Sequence, residues 1–588
     1  MFGHNKAAIL CIVGLLASPA TRAVSGAVIQ LEGGSIALPQ TTTGSEFETV
    51  IFAQPFSVAP VVFALPTNEG GDPCDLRIRN VTSAGFEVIH VEPPGEDGPH
   101  APMTVSWFAI EPGRAILPDG RVLEAGTIDS TATVQKGGTK TWESITFGSV
   151  FADAPALLAQ VQTMVNEAGT PPGTPSTPWL TAAVHNLDAN GAQIAMEQAE
   201  TAGAGTPSAD ETLGYVAVST RPLEGAFRDA NGNTIVLDPL VSTQVIRGWD
   251  DTSGTGNWVD FVRTFAAPPL VVGNQATRNG DDGGWLRSGQ VTPSGVYLMV
   301  DEDRYQDSER NHTAERASVL AFSQSFGIGA TALPVPKLTY AAQKDTTANN
   351  VWENVEGIGS HNWSLASNSR TAVSVPPTWE LTEAYVFPDA RATAANYQNI
   401  EGADTTEVSA SFEMWFKPDD LTGQEILWEI GGREFGTSLA LDDDQLLFTT
   451  SSASDPTTRQ LRAELAAASY TQAVGVIDMH DTADYTDLLL YLNGRLVDTE
   501  FDVTDFTSWA GGDGTGLGRV EGSAGGNKTG LLDGFGDFHG EIALVRFYDQ
   551  ALSAGDVWNL YASVVPEPGT LSMLIFAAVA LLLRRRRR

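Results

Sequence analysis

Apolar residues occur along most of this chain in short runs, without the three-to-four-residue spacing of an amphipathic helix. The runs are rich in β-branched and aromatic residues, and Gly, Pro, Asn and Asp separate them. Such a pattern is typical of antiparallel strands joined by polar turns. Between the two ends of the chain no long helical period occurs. The sequence therefore predicts an all-β fold.

One sequence unit occurs three times before residue 326. Each copy has the motif F-x3-F-x3-P, which begins at Phe52, Phe147 and Phe261. Each then has a polar turn that leads into a strand, and the glycines that close these turns are Gly85, Gly191 and Gly295. Repetition of this kind indicates duplication of one structural unit. It predicts three tandem antiparallel β-sandwiches, each with a small core of its own, over residues 26–118, 119–223 and 224–325.

The pattern changes after residue 325. Residues 326–336 contain Gly, Ala, Pro334 and Pro336, a composition that predicts a short linker. Farther along, many short strands alternate with polar turns, and Asn493-Gly494 gives a strong hairpin signal. Strands of this kind predict a jelly roll over residues 337–562.

The N-terminus has the layout of a secretory signal peptide. Lys6 precedes an apolar run at residues 7–17, and small residues follow at Ser18, Ala20 and Ala23. This order predicts a signal peptide over residues 1–23 and export of the remaining chain.

The C-terminus combines three features in a fixed order. Val565, Pro566, Glu567 and Pro568 precede an apolar stretch at residues 569–583, and the chain ends in Arg584, Arg585, Arg586, Arg587 and Arg588. A helix over the apolar stretch would be about 22 Å long, which predicts a thin transmembrane span. Arginines beside a span stay in the cytoplasm, so the preceding domains are expected outside it.

This tail resembles the PEP-CTERM sorting signal of Gram-negative bacteria that make extracellular polysaccharide. The resemblance implies that the membrane enzyme exosortase recognises the tail and removes it near Pro566 and Pro568. It also implies an inner-membrane intermediate that is later released to the cell surface or the extracellular matrix.

The three repeats resemble the H-type lectin-like sandwich in the F-x3-F-x3-P motif, the N-x4-G turn and the closing apolar strand. Gln290 replaces the Asn of that turn in the third copy. The resemblance implies sugar binding at the edge of the sandwich, often in oligomers. His100 and His312 occupy equivalent positions and are candidate ligand contacts, whereas the second copy has Ser208 there. A structural role for both histidines is the alternative.

Residues 337–562 resemble the laminin-G-like, concanavalin A-like jelly roll, through the segments at residues 412–416, 491–495, 538–543 and 546–553. The resemblance implies binding of glycans or proteins, sometimes through Ca²⁺, and glycosidase activity in a minority of relatives. The closely spaced carboxylates of a retaining glycosidase, in the pattern E-x-D-x-x-E, do not occur in this region.

Charge and candidate metal ligands narrow the choice of partners. The chain has 34 Lys and Arg against 72 Asp and Glu, a net charge of −38 that disfavours nucleic acid as a partner. Carboxylates on loops suit calcium, and the candidates are Asp442, Asp443, Asp444, Asp533 and Asp537. A solvated turn produces the same acidic pattern. Cys74 is the only cysteine after the signal peptide, so no intramolecular disulfide is expected.

Together these features favour an exported, non-catalytic protein of the cell surface or extracellular matrix. Several β domains on one chain would bind extracellular polysaccharide or surface proteins with combined avidity. One alternative is a secreted polysaccharide-acting hydrolase that uses the jelly roll. The other alternative is a passive structural spacer of the surface or biofilm matrix.

Overall fold

The computed structural model describes residues 28–42, 46–167, 177–201, 205–221, 223, 225–346, 349–355, 361–376, 379–394, 408–452, 454–455, 457–480 and 485–565. Strands dominate these residues, which confirms the all-β prediction. None of the helices in this part of the chain is long and apolar enough to cross a membrane. The predicted signal peptide at residues 1–23 and the predicted span at residues 569–583 lie outside the described residues.

Each repeat contributes a series of short strands. Repeat 1 contains Val28–Leu38 (β1), Glu48–Ile51 (β2), Val61–Leu65 (β3), Asp75–Thr82 (β4), Gly85–Val91 (β5), Met103–Ile110 (β6) and Gly113–Ile116 (β7). Repeat 2 contains Val122–Ser130 (β8), Thr133–Val134 (β9), Glu143–Thr146 (β10), Ala156–Val161 (β11), Thr181–His185 (β12), Gly191–Glu197 (β13) and Glu211–Val218 (β14). Repeat 3 contains Ala226–Arg228 (β15), Thr234–Val241 (β16), Asn257–Asp260 (β17), Leu270–Gln275 (β18), Trp285–Thr292 (β19), Gly295–Asp301 (β20), Ala317–Phe322 (β21) and Phe326–Ala332 (β22).

In every repeat an outer sheet packs on an inner sheet. The outer sheets have the orders β2-β5-β4, β10-β13-β12 and β17-β20-β19. The inner strands of repeats 1 and 2, β1-β6-β3 and β8-β14-β11, belong to one eight-stranded sheet, and those of repeat 3 form the sheet that contains β16-β21-β18. The two phenylalanines of each F-x3-F motif are buried between the layers with their rings edge to face. Each repeat therefore has a core of its own, as the sequence predicts.

The inner strands of all three repeats also share a further apolar core, which corrects the prediction that each sandwich has only a core of its own. Equivalent residues of the repeats meet there, namely Phe63, Leu158 and Val272 from one strand position and Phe108, Val216 and Leu320 from another. Hydrogen bonds join repeats 1 and 2 (Val62 N to Gln162 Oε1, 2.9 Å), 2 and 3 (Leu157 N to Ser318 Oγ, 3.2 Å) and 3 and 1 (Val271 N to Ser106 Oγ, 3.2 Å). Each repeat thus contacts both others, and the three form a closed ring.

Strand β22 closes this ring, and its position corrects the predicted linker at residues 326–336. It pairs with β1 from Phe326 to Thr331, and its last two residues pair with β7. The first inner strand of each repeat thus has a partner of this kind: β22 pairs with β1 in repeat 1, β7 pairs with β8 in repeat 2, and β15 pairs with β16 in repeat 3. The small residues of β22 reflect close packing, because a Cβ on Gly329 would lie 2.3 Å from the Val28 side chain.

The predicted jelly roll forms the C-terminal part of the structure. Its elements are Leu338–Ala341 (β23), Val351–Trp352 (β24), Trp363–Leu365 (β25), Arg370–Ala372 (β26), Glu383–Phe387 (β27), Ala392–Ala394 (β28), Ala410–Pro418 (β29), Gln424–Gly431 (β30), Gly436–Asp442 (β31), Gln445–Ser451 (β32), Arg459–Glu464 (β33), Thr471–Met479 (β34), Tyr485–Leu492 (β35), Arg495–Thr504 (β36), Thr515–Leu517 (β37), Gly536–Asp537 (β38), Gly540–Tyr548 (β39) and the helix Ala554–Val564 (α1). One sheet has the order β26-β27-β39-β29-β34-β35-β36 and the other β24-β25-β28-β37-β30-β31-β32-β33. A large aromatic core lies between them.

The jelly roll packs directly against repeat 2. Val150 of repeat 2 joins an apolar cluster of the jelly roll that includes Leu381, Trp415 and Leu544. Glu380 is 2% exposed at this interface and accepts hydrogen bonds from Ala152 N (2.7 Å) and Ser219 Oγ (2.6 Å). Burial outweighs these hydrogen bonds and raises the pKa of Glu380 to about 7. The two parts of the protein are therefore joined by packed side chains as well as by the chain itself.

Candidate functional site

A cleft of about 690 Å³ opens between repeats 1 and 3. Among the described residues, its lining consists of Thr67, Asn68, Glu69, Gly254, Thr255, Ser288, Gly289, Gln290 and Tyr297. The first three come from the segment after β3, and the others come from the loop before β17 and from β19 and β20. This volume falls within the range of about 300–1,000 Å³ that is typical of small-molecule sites.

Main-chain and side-chain hydrogen bonds hold the two walls of the cleft together. Asn68 N donates to Ser288 O at 2.7 Å, and Ser288 N donates to Pro66 O at 2.9 Å. The Asn68 side chain donates through Nδ2 to Gly254 O at 2.6 Å and accepts at Oδ1 from Trp249 Nε1 at 3.0 Å. The position of the repeat 1 wall is therefore set by repeat 3.

A buried ion-pair network supports the same wall. Asp301 accepts from Arg287 Nη1 at 2.7 Å and from Arg310 Nε at 2.8 Å, and the three side chains are at most 3% exposed. The two guanidinium groups also donate to four main-chain carbonyls of repeat 1, those of Thr67, Glu69, Gly71 and Asp72. Asp301 thus compensates two buried cations that fix the segment at residues 67–72.

The cleft presents an aromatic ring beside polar groups. The Tyr297 ring lies edge to face with Trp258, with 5.0 Å between the centroids. Within the part of the chain that the structure describes, the Tyr297 hydroxyl, the Gln290 amide and the Glu69 carboxylate make no hydrogen bond to another residue. The Thr67 hydroxyl is buried there without a partner. The site can hold a ligand that combines an apolar face with several hydroxyl groups.

The structure places the predicted contacts His100 and His312 in buried positions, 3% and 4% exposed. His100 Nδ1 lies 3.1 Å from Glu92 Oε1, and its Nε2 lies 2.8 Å from Glu69 O. His312 contacts Glu302 through Nδ1 and Glu315 Oε1 through Nε2, the latter at 3.2 Å. Protein acceptors occupy both ring nitrogens of each histidine, an arrangement that favours the structural role. Direct contact with a ligand stays a prediction.

The stability of the protein is expected to fall as the pH rises from 6.5 to about 9. Burial alone would lower the pKa of His312, but hydrogen bonds to Glu302 and Glu315 outweigh burial and raise this pKa from 6.5 to about 9. In that window the folded state keeps a proton on His312 that the unfolded state loses, so this histidine alone lowers the free energy of unfolding by about 3 kcal/mol. Urea denaturation at the two pH values measures the change.

Two histidine variants test the cause of this pH dependence. His312→Gln should reduce the fall, whereas His539→Gln, at a position 55% exposed on its side chain, should leave it unchanged. An undiminished fall in His312→Gln would contradict the assignment. His100 adds a fall in the same direction in both variants, because hydrogen bonds to Cys74 and Glu92 outweigh its burial and raise its pKa to about 10.

The candidate calcium ligands lie in two parts of the jelly roll. Asp442 ends β31, and Asp443 and Asp444 form the turn to β32, where Asp443 Oδ1 accepts from Gly423 N at 2.8 Å. Asp533 pairs with Arg433 at 2.7 Å, and Asp537 pairs with Arg391 at 2.8 Å. Among the described residues, neither set contains three carboxylates close enough to share one metal ion. Calcium binding by these residues stays a prediction.

Another acidic group does have suitable spacing. Asp72, Glu92 and Asp97 bring one oxygen each to within 4.8 Å of the others. Asp72 already pairs with Arg304 at 2.5 Å, and Glu92 pairs with His100 at 3.1 Å. Two of the three carboxylates therefore have protein partners.

The family comparison concerns the jelly roll. Residues 392–558 match a family model described as the concanavalin A-like lectin/glucanases superfamily. This match confirms the jelly-roll prediction for the C-terminal part of the chain. The PEP-CTERM resemblance of the tail and the H-type lectin resemblance of the repeats stay predictions.

Among curated proteins, the chain is similar to halomucin of Haloquadratum walsbyi (strain DSM 16790 / HBSQ001). The two are 29% identical over 297 residues, which is 49% of this chain and 3% of halomucin. The match thus spans a small part of the length of that relative.

Two solved structures show a distant likeness. One is the binding domain of botulinum neurotoxin DC in complex with SialylT, with 12% identity and a TM-score of 0.29 over 39% of this chain and 51% of that chain. The other is the CBM40 of the Ruminococcus gnavus IT-sialidase, with 14% identity and a TM-score of 0.23 over 29% of this chain and 92% of that chain. Scores this low do not support a functional comparison.

Proposed function

We propose that this protein is an exported, non-catalytic surface or matrix protein that binds carbohydrate in the cleft between repeats 1 and 3. The observation that carries the proposal is the cleft, in which the exposed part of the Tyr297 ring lies beside polar groups that lack protein partners. The two repeats build the cleft jointly, as expected of a binding site at the edge of a sandwich.

The chemistry of a sugar ring matches these groups. A pyranose has an apolar face of C–H groups, which an aromatic ring such as Tyr297 can cover. Its hydroxyl groups need hydrogen-bond partners, because a buried polar group without one costs about 1–3 kcal/mol. The Tyr297 hydroxyl, Gln290 and Glu69 supply such partners at the rim of the cleft.

The walls are held in place before any ligand binds. Asn68 bridges to Gly254 and Trp249, and Asp301 fixes two arginines against the repeat 1 segment. A site that is already ordered loses less conformational entropy on binding, and more of the contact energy then contributes to affinity.

The jelly roll provides a second binding surface in this proposal. Its superfamily match supports glycan or protein ligands, and calcium at Asp442, Asp443 and Asp444 or at Asp533 and Asp537 would assist binding there. Two different sites on one chain would raise the avidity for a repetitive polysaccharide.

Export and sorting complete the proposal. The signal peptide at residues 1–23 and the tail at residues 565–588 support passage through an inner-membrane intermediate, cleavage by exosortase and release to the surface or matrix. Mass spectrometry of the mature protein should find a C-terminus near Val565 to Pro568. Retention of Arg588 would contradict this part of the proposal.

Replacing Tyr297 with alanine is expected to weaken glycan binding at least about tenfold, because the stacking surface is lost. The measurement compares the purified protein with the variant on a glycan array, with and without a chelator. Tyr305→Ala removes a tyrosine that is 42% exposed and does not line the cleft, so it serves as the matched control.

The outcomes of that experiment decide between the functions. Glycan binding that Tyr297→Ala weakens, and that persists in the presence of the chelator, supports the proposal. Binding unaffected by Tyr297→Ala contradicts the cleft as the binding site. No binding by the parent protein contradicts the whole proposal and leaves the passive spacer. Release of reducing ends from the glycans would instead favour the hydrolase.

A further inference from the structure

Two glycines and one tyrosine distinguish the cleft at repeat 3 from the corresponding places in repeats 1 and 2. We propose that Gly256 and Gly289 make repeat 3 the member of the ring with an open site, and that this site selects uncharged glycans over uronate-bearing ones. This inference rests on the proposed function and specifies its ligand class.

Repeats 1 and 2 fill the corresponding place with their own side chains. Just before the first strand of the outer sheet, repeats 1, 2 and 3 have Phe47, Trp142 and Gly256, respectively. Just before the Asn or Gln that begins the polar turn, they have Arg79, His185 and Gly289. In repeat 1 the Arg79 guanidinium lies over the Phe47 ring, 3.6 Å from its centroid. In repeat 2 the Trp142 and His185 rings are stacked, with 5.3 Å between centroids and 24° between planes.

Repeat 3 has glycine at both of these positions, and it has an aromatic residue at a third position. The strand position that is Glu87 in repeat 1 and Gln193 in repeat 2 is Tyr297 in repeat 3. Gly256 has a φ of +83°, a conformation that L side chains rarely adopt, so this position resists refilling. Gly289 and Tyr297 both line the cleft, and the absence of a side chain at Gly289 leaves the Tyr297 ring accessible from it.

Gly289 also controls how closely the loop before β17 approaches strand β19. A Cβ at this position would lie 3.1 Å from Thr255 O and 3.2 Å from Tyr297 Cβ. Any larger side chain there would occupy space between Thr255 and Tyr297, where the ligand is expected to bind. Gly289 is therefore a specificity-determining position.

The charge of the cleft favours an uncharged ligand. Glu69 is exposed on the repeat 1 wall, and no Lys or Arg is among the described residues that line the cleft. The nearby Arg287 and Arg310 are buried and compensated by Asp301. A carboxylate on the ligand would therefore meet the Glu69 carboxylate without a cation to offset the repulsion, most strongly at low salt.

Matched pairs of trisaccharides test the selectivity. Each pair has the same linkage and differs only in the oxidation of C6: β-1,4-glucotriose and its triglucuronate, α-1,4-galactotriose and its trigalacturonate, and β-1,4-mannotriose and its trimannuronate. Calorimetric titration at low salt should show at least one neutral member binding about tenfold tighter than its charged counterpart. Glu69→Gln, a surface substitution, should narrow that ratio at least threefold, and 0.5 M salt should narrow it in the parent protein.

Two variants test the role of the open position. Gly289→His introduces the residue of repeat 2 and should weaken binding of the neutral trisaccharide at least tenfold. Tyr297→Gln also introduces the repeat 2 residue, does not crowd the loop, and should have a similar effect if Gly289→His were to fold poorly. His185→Gln, which alters the filled place of repeat 2, should leave the affinity unchanged.

The outcomes separate this inference from the proposed function. If a charged trisaccharide binds as tightly as its neutral counterpart and Tyr297→Gln abolishes both, the selectivity is wrong and the carbohydrate site stands. If Gly289→His folds and binds normally while Tyr297→Gln does not, the role of Gly289 is wrong. If no trisaccharide binds, or Tyr297→Gln has no effect, the proposed site itself is wrong.

Discussion

Replacing Phe326 with alanine is expected to lower the free energy of unfolding of the ring by about 3–5 kcal/mol, the usual cost of removing a buried phenylalanine ring. Phe326 is 5% exposed, and its ring centroid lies 5.4 Å from Phe322, 5.7 Å from Phe227 and 6.4 Å from Phe108. Its strand, β22, returns to β1 and closes the ring. The variant would therefore leave a cavity in the core shared by the repeats.

Chemical denaturation followed by tryptophan fluorescence measures this loss. The control is Phe501→Ala in the jelly roll, where a phenylalanine is 59% exposed and removal should change the stability by less than about 0.5 kcal/mol. Because the core is shared, the transition of all three repeats should shift together in Phe326→Ala. An unshifted transition of one repeat, apart from that of the jelly roll, would show that the repeats unfold independently and would contradict the shared core.

Replacing Asp301 with alanine is expected to destabilise the protein by about 3–5 kcal/mol, because Arg287 and Arg310 would stay buried without a counter-charge. Asp301 is 0% exposed and pairs with both arginines. The same arginines donate to the main chain of the repeat 1 segment that lines the cleft. Glycan affinity should therefore fall together with stability.

The matched control for this variant is an exposed ion pair. Asp533 pairs with Arg433 at 2.7 Å, with side chains 58% and 42% exposed, so Asp533→Ala should cost far less stability than Asp301→Ala. Thermal and urea denaturation of both variants gives the comparison. If Asp301→Ala were as stable as Asp533→Ala, the arginines would not depend on Asp301 for their compensation.

Local patterns in the sequence predict the strands and the cores of individual domains. The F-x3-F motif places two rings on one side of a chain bend, and the structure buries both in every repeat. The short alternating strands and the Asn493-Gly494 turn likewise predict the jelly roll, in which these residues join β35 and β36. These features depend on neighbours in the chain, which a sequence displays directly.

Contacts between distant residues explain what the sequence did not predict. β22 is rich in Gly and Ala, which resembles a linker, yet the small residues permit close packing on β1 more than 290 positions earlier. The ring itself requires apolar residues on both faces of the inner sheets, and alternation along one strand cannot show which partner covers the second face.

The strand pattern does not predict the cleft for a related reason, although the repeats contain a signal for it. Its two walls come from residues 67–69 and 254–297, which are adjacent only because the ring is closed. Alignment of the three copies does show glycine at positions 256 and 289 where the other copies have aromatic or basic residues. These differences between the copies point to Tyr297, whereas their likeness points to His100 and His312.

A crystal structure of the protein soaked with the tightest-binding neutral trisaccharide tests the central claim most directly. The predicted result is electron density for a sugar ring against Tyr297, within hydrogen-bond distance of Gln290 or Glu69 and between the walls of repeats 1 and 3. Density for the trisaccharide on the jelly roll or at another repeat, with the cleft empty at saturating concentration, would contradict it.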